Sequence, residues 1–477
     1  MAVGPQSANS GHSPTAWRTG QFDRKRTAPA GLKLRSTASF RVPDKPAVDG
    51  QECQTCARWT SFEDNPLSES LRTESDLVAR QYKDWVYPQP IQDISEFVKR
   101  YYDLSDPSLF RRKLWPRKIE PENLSILVAG CGANQAAHYA FTNRNSQVLG
   151  IDVSDSSLGH EAYLKQKHRL DNLELLRMSL GEIGSLGRSF DLIVCTGVLH
   201  HLPDPEAGLR SLREVLKPHG VISIMLYGYF PRVGVYMLQE VFRRLGLKQD
   251  VAGIGVVKRA IDILPKSHYL NAYRQIAPDL GYDSGLVDTF LHSADRAFTV
   301  PQILKFAGNN DLTLQSWLDN LQYLLSTIIV DPQNSFRKLV ETLPVANQWE
   351  IVELMGQSLA RHNFLLCHPE KDRRDYILDF SGDEWLDYIP SRRHPLAVLP
   401  ASDRDRASRP IVIHRLSHSV GLDTFEAALF EQVDGNRAIR EILRTMDTGK
   451  NNEDSILAAR RFFGCMADWD HLQFEIP

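Results

Sequence analysis

From about residue 119 onward, short β-branched apolar runs alternate with amphipathic stretches of helical spacing, the pattern of a parallel sheet covered by helices. The runs predict strands over 126–129, 147–151, 173–178, 190–195 and 221–226. Between them the spacing predicts a helix after Gly132 and helices over 158–168 and 206–216. This order folds as a doubly wound α/β sheet. After Tyr227 the pattern turns helical, over 235–245 and 256–264. The stretch 299–317 reads as a helix leading into a strand, and 362–367 as a final strand.

Outside this region the pattern weakens. Ser75 predicts a helix start that runs to about Trp85 before Pro88 stops it, and a second helix follows over 94–102. Residues 1 to about 49 are rich in Ser, Thr, Gly, Pro and Arg with no apolar periodicity, and are expected to be a disordered tail. The tail is basic and acid-poor (Arg18, Arg24, Lys25, Arg26, Lys33, Arg35, Arg41), which also resembles an organelle transit segment, although no amphipathic helix is evident. Residues 372–409 are charged and proline-punctuated, the composition of a linker. Apolar periodicity returns over 425–433, 439–446 and 456–469, with a short strand at 472–476. The organisation expected is a tail (1–70), a helical cap (71–118), an α/β domain (119–370) with a helical insertion (230–298), a linker (371–410) and a small C-terminal domain (411–477).

Composition narrows the class. At 477 residues the chain is long enough for two folded units, and no apolar run approaches the roughly 20 residues a membrane span requires. A net charge of −3 gives no general attraction to nucleic acid. The six cysteines are sparse, which suits reduced thiols and a cytoplasmic location. Cys53 and Cys56 form a lone CxxC without a second pair at matching spacing, so they are read as loop cysteines and no metal site is expected.

Candidate chemistry starts at residues 125–135, SILVAGCGANQ, where a buried strand runs into Gly130 and Gly132 and then a helix. Glycines there let the backbone turn sharply and approach a ligand. Asp152 stands at the tip of the next strand, about 20 residues on, positioned to accept the hydroxyls of a ribose. A dinucleotide site would want a third glycine where Gln135 stands, so a nucleoside cofactor without a pyrophosphate fits better.

At this point the chain resembles the class I S-adenosylmethionine-dependent methyltransferases, through the glycine turn, GIDVS at 150–154 and FDLIVCTGVLHHLPDPEAGLRSLREVLKPHGVISI at 190–224, in that order. The resemblance covers about 125–227 clearly. It implies a seven-stranded Rossmann-like sheet with a helical cap, and S-adenosylmethionine as cofactor. It places Gly130, Cys131 and Gly132 against the methionine and ribose portions with Gln135 beside them, Asp152 and Val153 at the ribose, and Ser179 and Leu180 at the adenine. Cys195, Thr196 and Gly197 would end the fourth strand beside the methyl group. Three positions depart from the family pattern: Val128 replaces a common acid, Ser179 a common aspartate, and His219 a glycine.

Methyl transfer from a sulfonium needs chiefly alignment, and a base helps when the acceptor has a high pKa. His200 and His201 are the candidates for that base. Tyr82, Tyr87 and Tyr227, with Trp85, are candidate walls of an acceptor site for a small molecule or a peptide. The C-terminal stretch FEAALFEQVDGNRAIREIL (425–443) weakly resembles a winged-helix unit of the peptide-binding kind found in ribosomal-peptide modification, a small α+β domain suited to docking a protein partner or a second copy. A competing reading is a binding or regulatory protein with a degenerate core that acts through this domain, and Ser179 is the residue that favours it.

Overall fold

The computed structural model describes residues 85, 90–119, 123–356, 359–400, 408–415, 418–446 and 453–477. The tail, Cys53, Cys56, Tyr82, Tyr87 and all but Trp85 of the helix expected from Ser75 lie outside the described residues.

Seven strands form the central sheet: β1 (Ser125–Ala129), β2 (Gln147–Asp152), β3 (Leu173–Arg177), β4 (Phe190–Thr196), β5 (Leu216–Tyr227), β6 (Thr313–Trp317) and β7 (Arg361–Cys367). Their order is β3-β2-β1-β4-β5-β7-β6. The first five run parallel, while β7 pairs antiparallel with both β5 and β6. Alternate residues of β1 face opposite cores: Leu127 and Ala129 pack with Ile151, Ile193 and Ile224, whereas Ile126 and Val128 pack with Val148, Leu192 and Val221. Both faces are thus covered, which is why these strands read as continuous apolar runs. Strand order reverses between β1 and β4, and a crevice opens there at the strands' carboxyl ends.

Several helices begin at side-chain caps. Asp106 accepts from Ser108 N ahead of α1 (Pro107–Leu114). After the glycine turn comes α2 (Gln135–Thr142). Ser154 accepts from Ser157 N to start α3 (Asp155–His168), and Asp204 accepts from Ala207 N to start α4 (Pro205–Glu214). The insertion carries α5 (Val233–Arg244) and α6 (Val251–Asp262), and α7 (Val300–Asn309) precedes β6.

Several boundaries differ from expectation; the helix expected over 256–264, for one, is Val251–Asp262. The second cap helix spans only Ile94–Phe97, and the chain then turns so that Tyr101 and Asp103 enter the crevice. Strand β5 starts five residues early, and its pairing with β4 shifts register there, Phe190 facing Leu216 and Leu192 facing Val221.

The stretch expected to be a linker carries core. Trp385 and Tyr388 are buried, and β8 (Ile389–Arg392) and β9 (Ala397–Pro400) lie within it. Its charges pair largely with residues outside it, Asp375 with Arg117, Asp387 with Arg440 and Arg393 with Asp470, and its one tryptophan anchors it, a distinction composition does not reveal. Beyond it come β10 (Ile411–Arg415), β11 (His418–Leu422), α8 (Thr424–Glu431), α9 (Ile439–Thr445), α10 (Glu453–Asp468) and β12 (Leu472–Glu475). Strands β9, β10 and β11 form one antiparallel sheet, and β12 pairs with β8, around a core of Trp385, Phe430, Phe462, Phe463 and Phe474.

This C-terminal domain is fastened to the α/β body by buried charges. Asp470 holds Lys113 of α1 at 2.9 Å and Arg393 at 2.8 Å, and accepts from Asn320 N at 2.6 Å. Arg415 pairs with Asp319 at 3.2 Å, and Arg393 also donates to Leu318 O. Among the described residues, no helix is long and apolar enough to cross a membrane.

Candidate active site

The crevice encloses a pocket of about 570 Å³. Its floor is the turn after β1. Gly130 and Gly132 have φ of 71° and 57°, values that favour glycine, and a Cβ on Gly130 would lie 2.4 Å from Val198 Cγ2. Gly130 N and Cys131 N both donate to Ile151 O at 2.9 Å, tying the turn to β2. Asp152 Oδ2 accepts from Gly132 N at 2.9 Å and Oδ1 accepts from Ser154 N at 2.8 Å. Burial raises its carboxyl above the ordinary range, against the pull of these amides.

Most of the residues expected at the cofactor are here. Gly130, Cys131, Gly132 and Gln135 line the pocket, as do Asp152, Val153, Ser179, Leu180, Thr196 and Gly197. Cys195 does not. It is fully buried within β4, where burial pushes its thiol up to about 12. Alternation along the strand turns its side chain into the core, away from the crevice that Thr196 faces. Ser179 N and Oγ both donate to Glu182 Oε2, at 2.9 and 2.7 Å. His219 Nε2 bonds Asp191 Oδ1 at 2.7 Å at the other end of the sheet, a role in holding β5 to β1.

At the far end of the pocket stand Tyr227, His201 and Asp288. The Tyr227 hydroxyl donates to Asp288 Oδ2 at 3.2 Å. Arg232, wholly buried and paired with Asp295 at 2.6 Å, lies 3.9 Å from the centre of the Tyr227 ring. His201 Nδ1 lies 2.9 Å from Ala294 O, which can only accept, so this nitrogen carries the proton. In the neutral ring the lone pair is then on Nε2, 3.8 Å from Asp288 Oδ1. His292 stacks on His201 with ring centres 3.9 Å apart, and its Nδ1 accepts from Ala294 N at 3.0 Å. Its neutral ring therefore carries the proton on Nε2.

His201, Asp288 and His292 bring ligand atoms within 4.8 Å of one another. The stacked rings and opposite tautomers leave one lone-pair nitrogen in this group, which suits proton handling better than a metal's donor set. His200 does not line the pocket. It is buried behind Tyr227, ring centres 4.1 Å apart, and burial holds its imidazole neutral, well below its ordinary pKa. Trp85 donates to Gln249 O at 3.1 Å and packs on the helical insertion rather than forming an acceptor wall. Asp288, Asp103, Tyr101 and Arg361 were missed because they lie on segments without a motif.

The strand order and the strand-tip acid define a Rossmann-like fold for a nucleoside cofactor. Residues 127–222 match the family described as a methyltransferase domain. An uncharacterized protein of Synechococcus sp. is 24% identical over 287 residues, 58% of this chain and 67% of its own length. The tRNA 5-carboxymethoxyuridine methyltransferase of Escherichia coli K12 is 30% identical over 144 residues, 28% of this chain and 55% of its own. The solved structure of PKMT2 from Rickettsia typhi shares the fold, with a TM-score of 0.59 at 18% identity over 78% of this chain and 75% of that one. This chain thus spans little more than half of the tRNA enzyme and three quarters of the Rickettsia structure. Residues 127–222 thus carry a methyltransferase domain, and the open backbone at Gly130 with the carboxylate of Asp152 suits S-adenosylmethionine as its cofactor.

Proposed function

We propose that the protein transfers a methyl group from S-adenosylmethionine to an N–H or O–H nucleophile of a small molecule or a peptide, and that His201 takes the nucleophile's proton. One observation carries the reading: Ala294 fixes the tautomer of a neutral His201 so that its Nε2 lone pair faces the pocket beside a carboxylate. The bound cofactor supplies an electrophilic methyl group whose displacement needs alignment above all. His201 Nε2 orients the nucleophile by accepting its hydrogen. Asp288 then stabilises the imidazolium, a pairing that gains strength in a buried site. Tyr227, braced from behind by Arg232, holds Asp288 in place. The relatives' names speak for methyl transfer and not for one acceptor.

The test is calorimetric titration with S-adenosylmethionine and S-adenosylhomocysteine, with a nicotinamide dinucleotide as control, followed by labelled-methyl transfer to panels of amines, hydroxyl compounds and peptides. Micromolar binding of the first two, and transfer lost in His201→Asn, support the proposal. Preference for the dinucleotide would overturn the cofactor, and undiminished transfer by His201→Asn would overturn the base.

A further inference from the structure

One buried carboxylate lies behind the pocket instead of lining it. Glu161, midway along α3, has no solvent exposure. A buried carboxylate persists only where its oxygens are satisfied. Both of its oxygens are: Oε1 accepts from Ala136 N at 2.9 Å and Oε2 from Ala137 N at 2.8 Å, in the first turn of α2. Those amides immediately follow Asn134 and Gln135, and His138 comes next; all three line the pocket. On the opposite side of the same turn, Asp152 grips Gly132 N. The backbone amides of Gly132, Ala136 and Ala137 are therefore held by two carboxylates, one facing the cofactor space and one beneath it.

Packing alone would not call for an acid here. The surrounding layer is apolar, with Val128, Cys131, Ala136 and Leu164 in one cluster, and an alanine or leucine would fill it without desolvating a carboxyl. What an acid adds is a pair of hydrogen bonds aimed at the cofactor-binding segment. We propose that Glu161 is a positioning residue for the cofactor: its ionised carboxylate fixes the glycine turn and the start of α2 in the binding conformation, so that cofactor affinity depends on its charge. The inference rests on the reading that this domain binds S-adenosylmethionine.

The charge state is adjustable near neutral pH. Burial pushes the Glu161 carboxyl up to about 8; the Ala137 and Ala136 amides oppose the shift and the Asp152 carboxylate adds to it. The other titratable group facing it is the Cys131 thiol, which burial keeps protonated. A protonated carboxyl turns one oxygen into a donor against an amide donor, and one of the two hydrogen bonds is lost. The bound state favours the ionised form, so affinity rises with pH through about 8, and binding below that pH releases a proton.

Calorimetry on the full chain tests this. Titrations with S-adenosylmethionine and S-adenosylhomocysteine from pH 6.5 to 9, in two buffers of different ionisation enthalpy at each pH, read affinity and proton release together. Wild type is expected to release a proton fraction with either ligand at pH 7.5. Glu161→Gln, which keeps the shape and one acceptor, should bind both ligands about tenfold more weakly, with a smaller rise of affinity with pH than the wild type. The methyl-transfer rate at saturating cofactor should not change. Wild-type affinity in Glu161→Gln, or a wild-type pH profile, overturns the proposal. If that variant does not fold, Glu161→Asp, which keeps the charge but shortens its reach to the Ala136 and Ala137 amides, replaces it, and wild-type affinity with wild-type proton release there overturns the proposal. Failure of either ligand to bind the wild type at any pH would sink the cofactor reading and this inference together, whereas binding without dependence on Glu161 sinks only the latter.

Discussion

At the cofactor end of the pocket, the groups that matter come from two neighbouring strands and the turn between them, and much of the geometry is backbone. Gly130, Gly132 and Asp152 are joined by main-chain bonds to Ile151 and by the Gly132 amide. The acceptor end is assembled from side chains on separate segments: His201 follows β4, Tyr227 ends β5, and Asp288 lies 61 positions beyond Tyr227 in the helical insertion. A site made of backbone needs particular residues at fixed spacing. A site made of side chains needs only that several elements converge, so each can come from anywhere.

That contrast explains what the sequence disclosed. The strand pattern revealed the seven strands of the sheet, and the glycine turn and strand-tip acid pointed to Gly130, Gly132 and Asp152, because period and spacing are local properties, whereas Ser179, Leu180, Thr196 and Gly197 of the pocket lining came from the family resemblance. Cys195 was misplaced by a single step of strand alternation. His201 was legible as a candidate, yet its tautomer depends on Ala294, 93 positions away. Asp288 sits in an insertion whose helical pattern carries no mark of chemistry. The core role of Trp385 was hidden because the stretch around it is as charged as a linker.

The two ends can be separated by experiment. His201→Asn should lower the methyl-transfer rate by about 10²- to 10⁴-fold while leaving cofactor affinity near wild type, the range for a lost general base. Single-turnover transfer beside calorimetry would show it, and an equal loss of affinity would erase the division. Gly130→Ala should do the reverse, lowering cofactor affinity on the order of 100-fold through a strained φ and a clash with Val198. Asp152→Ala should cost about 1.5–3 kcal/mol of cofactor binding, the worth of hydrogen bonds to a charged group, with unchanged affinity contradicting its ribose role. The smallest effect is expected at the acceptor end. Tyr227→Phe removes one hydrogen bond to Asp288 and should slow transfer only a few-fold, about 0.5–1.5 kcal/mol. A larger loss there would mean that the phenol itself touches the acceptor.

The charges beneath the C-terminal domain bear on how this chain can change over generations. Lys113 belongs to a helix ahead of the first strand, Asp319 and Asn320 follow the sixth, and their partners Arg393, Arg415 and Asp470 belong to the C-terminal domain. Unpairing a buried charge costs about 3–5 kcal/mol, a large part of a typical domain's stability. A recombination event that exchanged the C-terminal domain alone would strand charges in both parents' halves. The two parts are therefore expected to be inherited as a unit, and a chimera joined near residue 370 should fold only if positions 113 and 319 travel with the incoming domain.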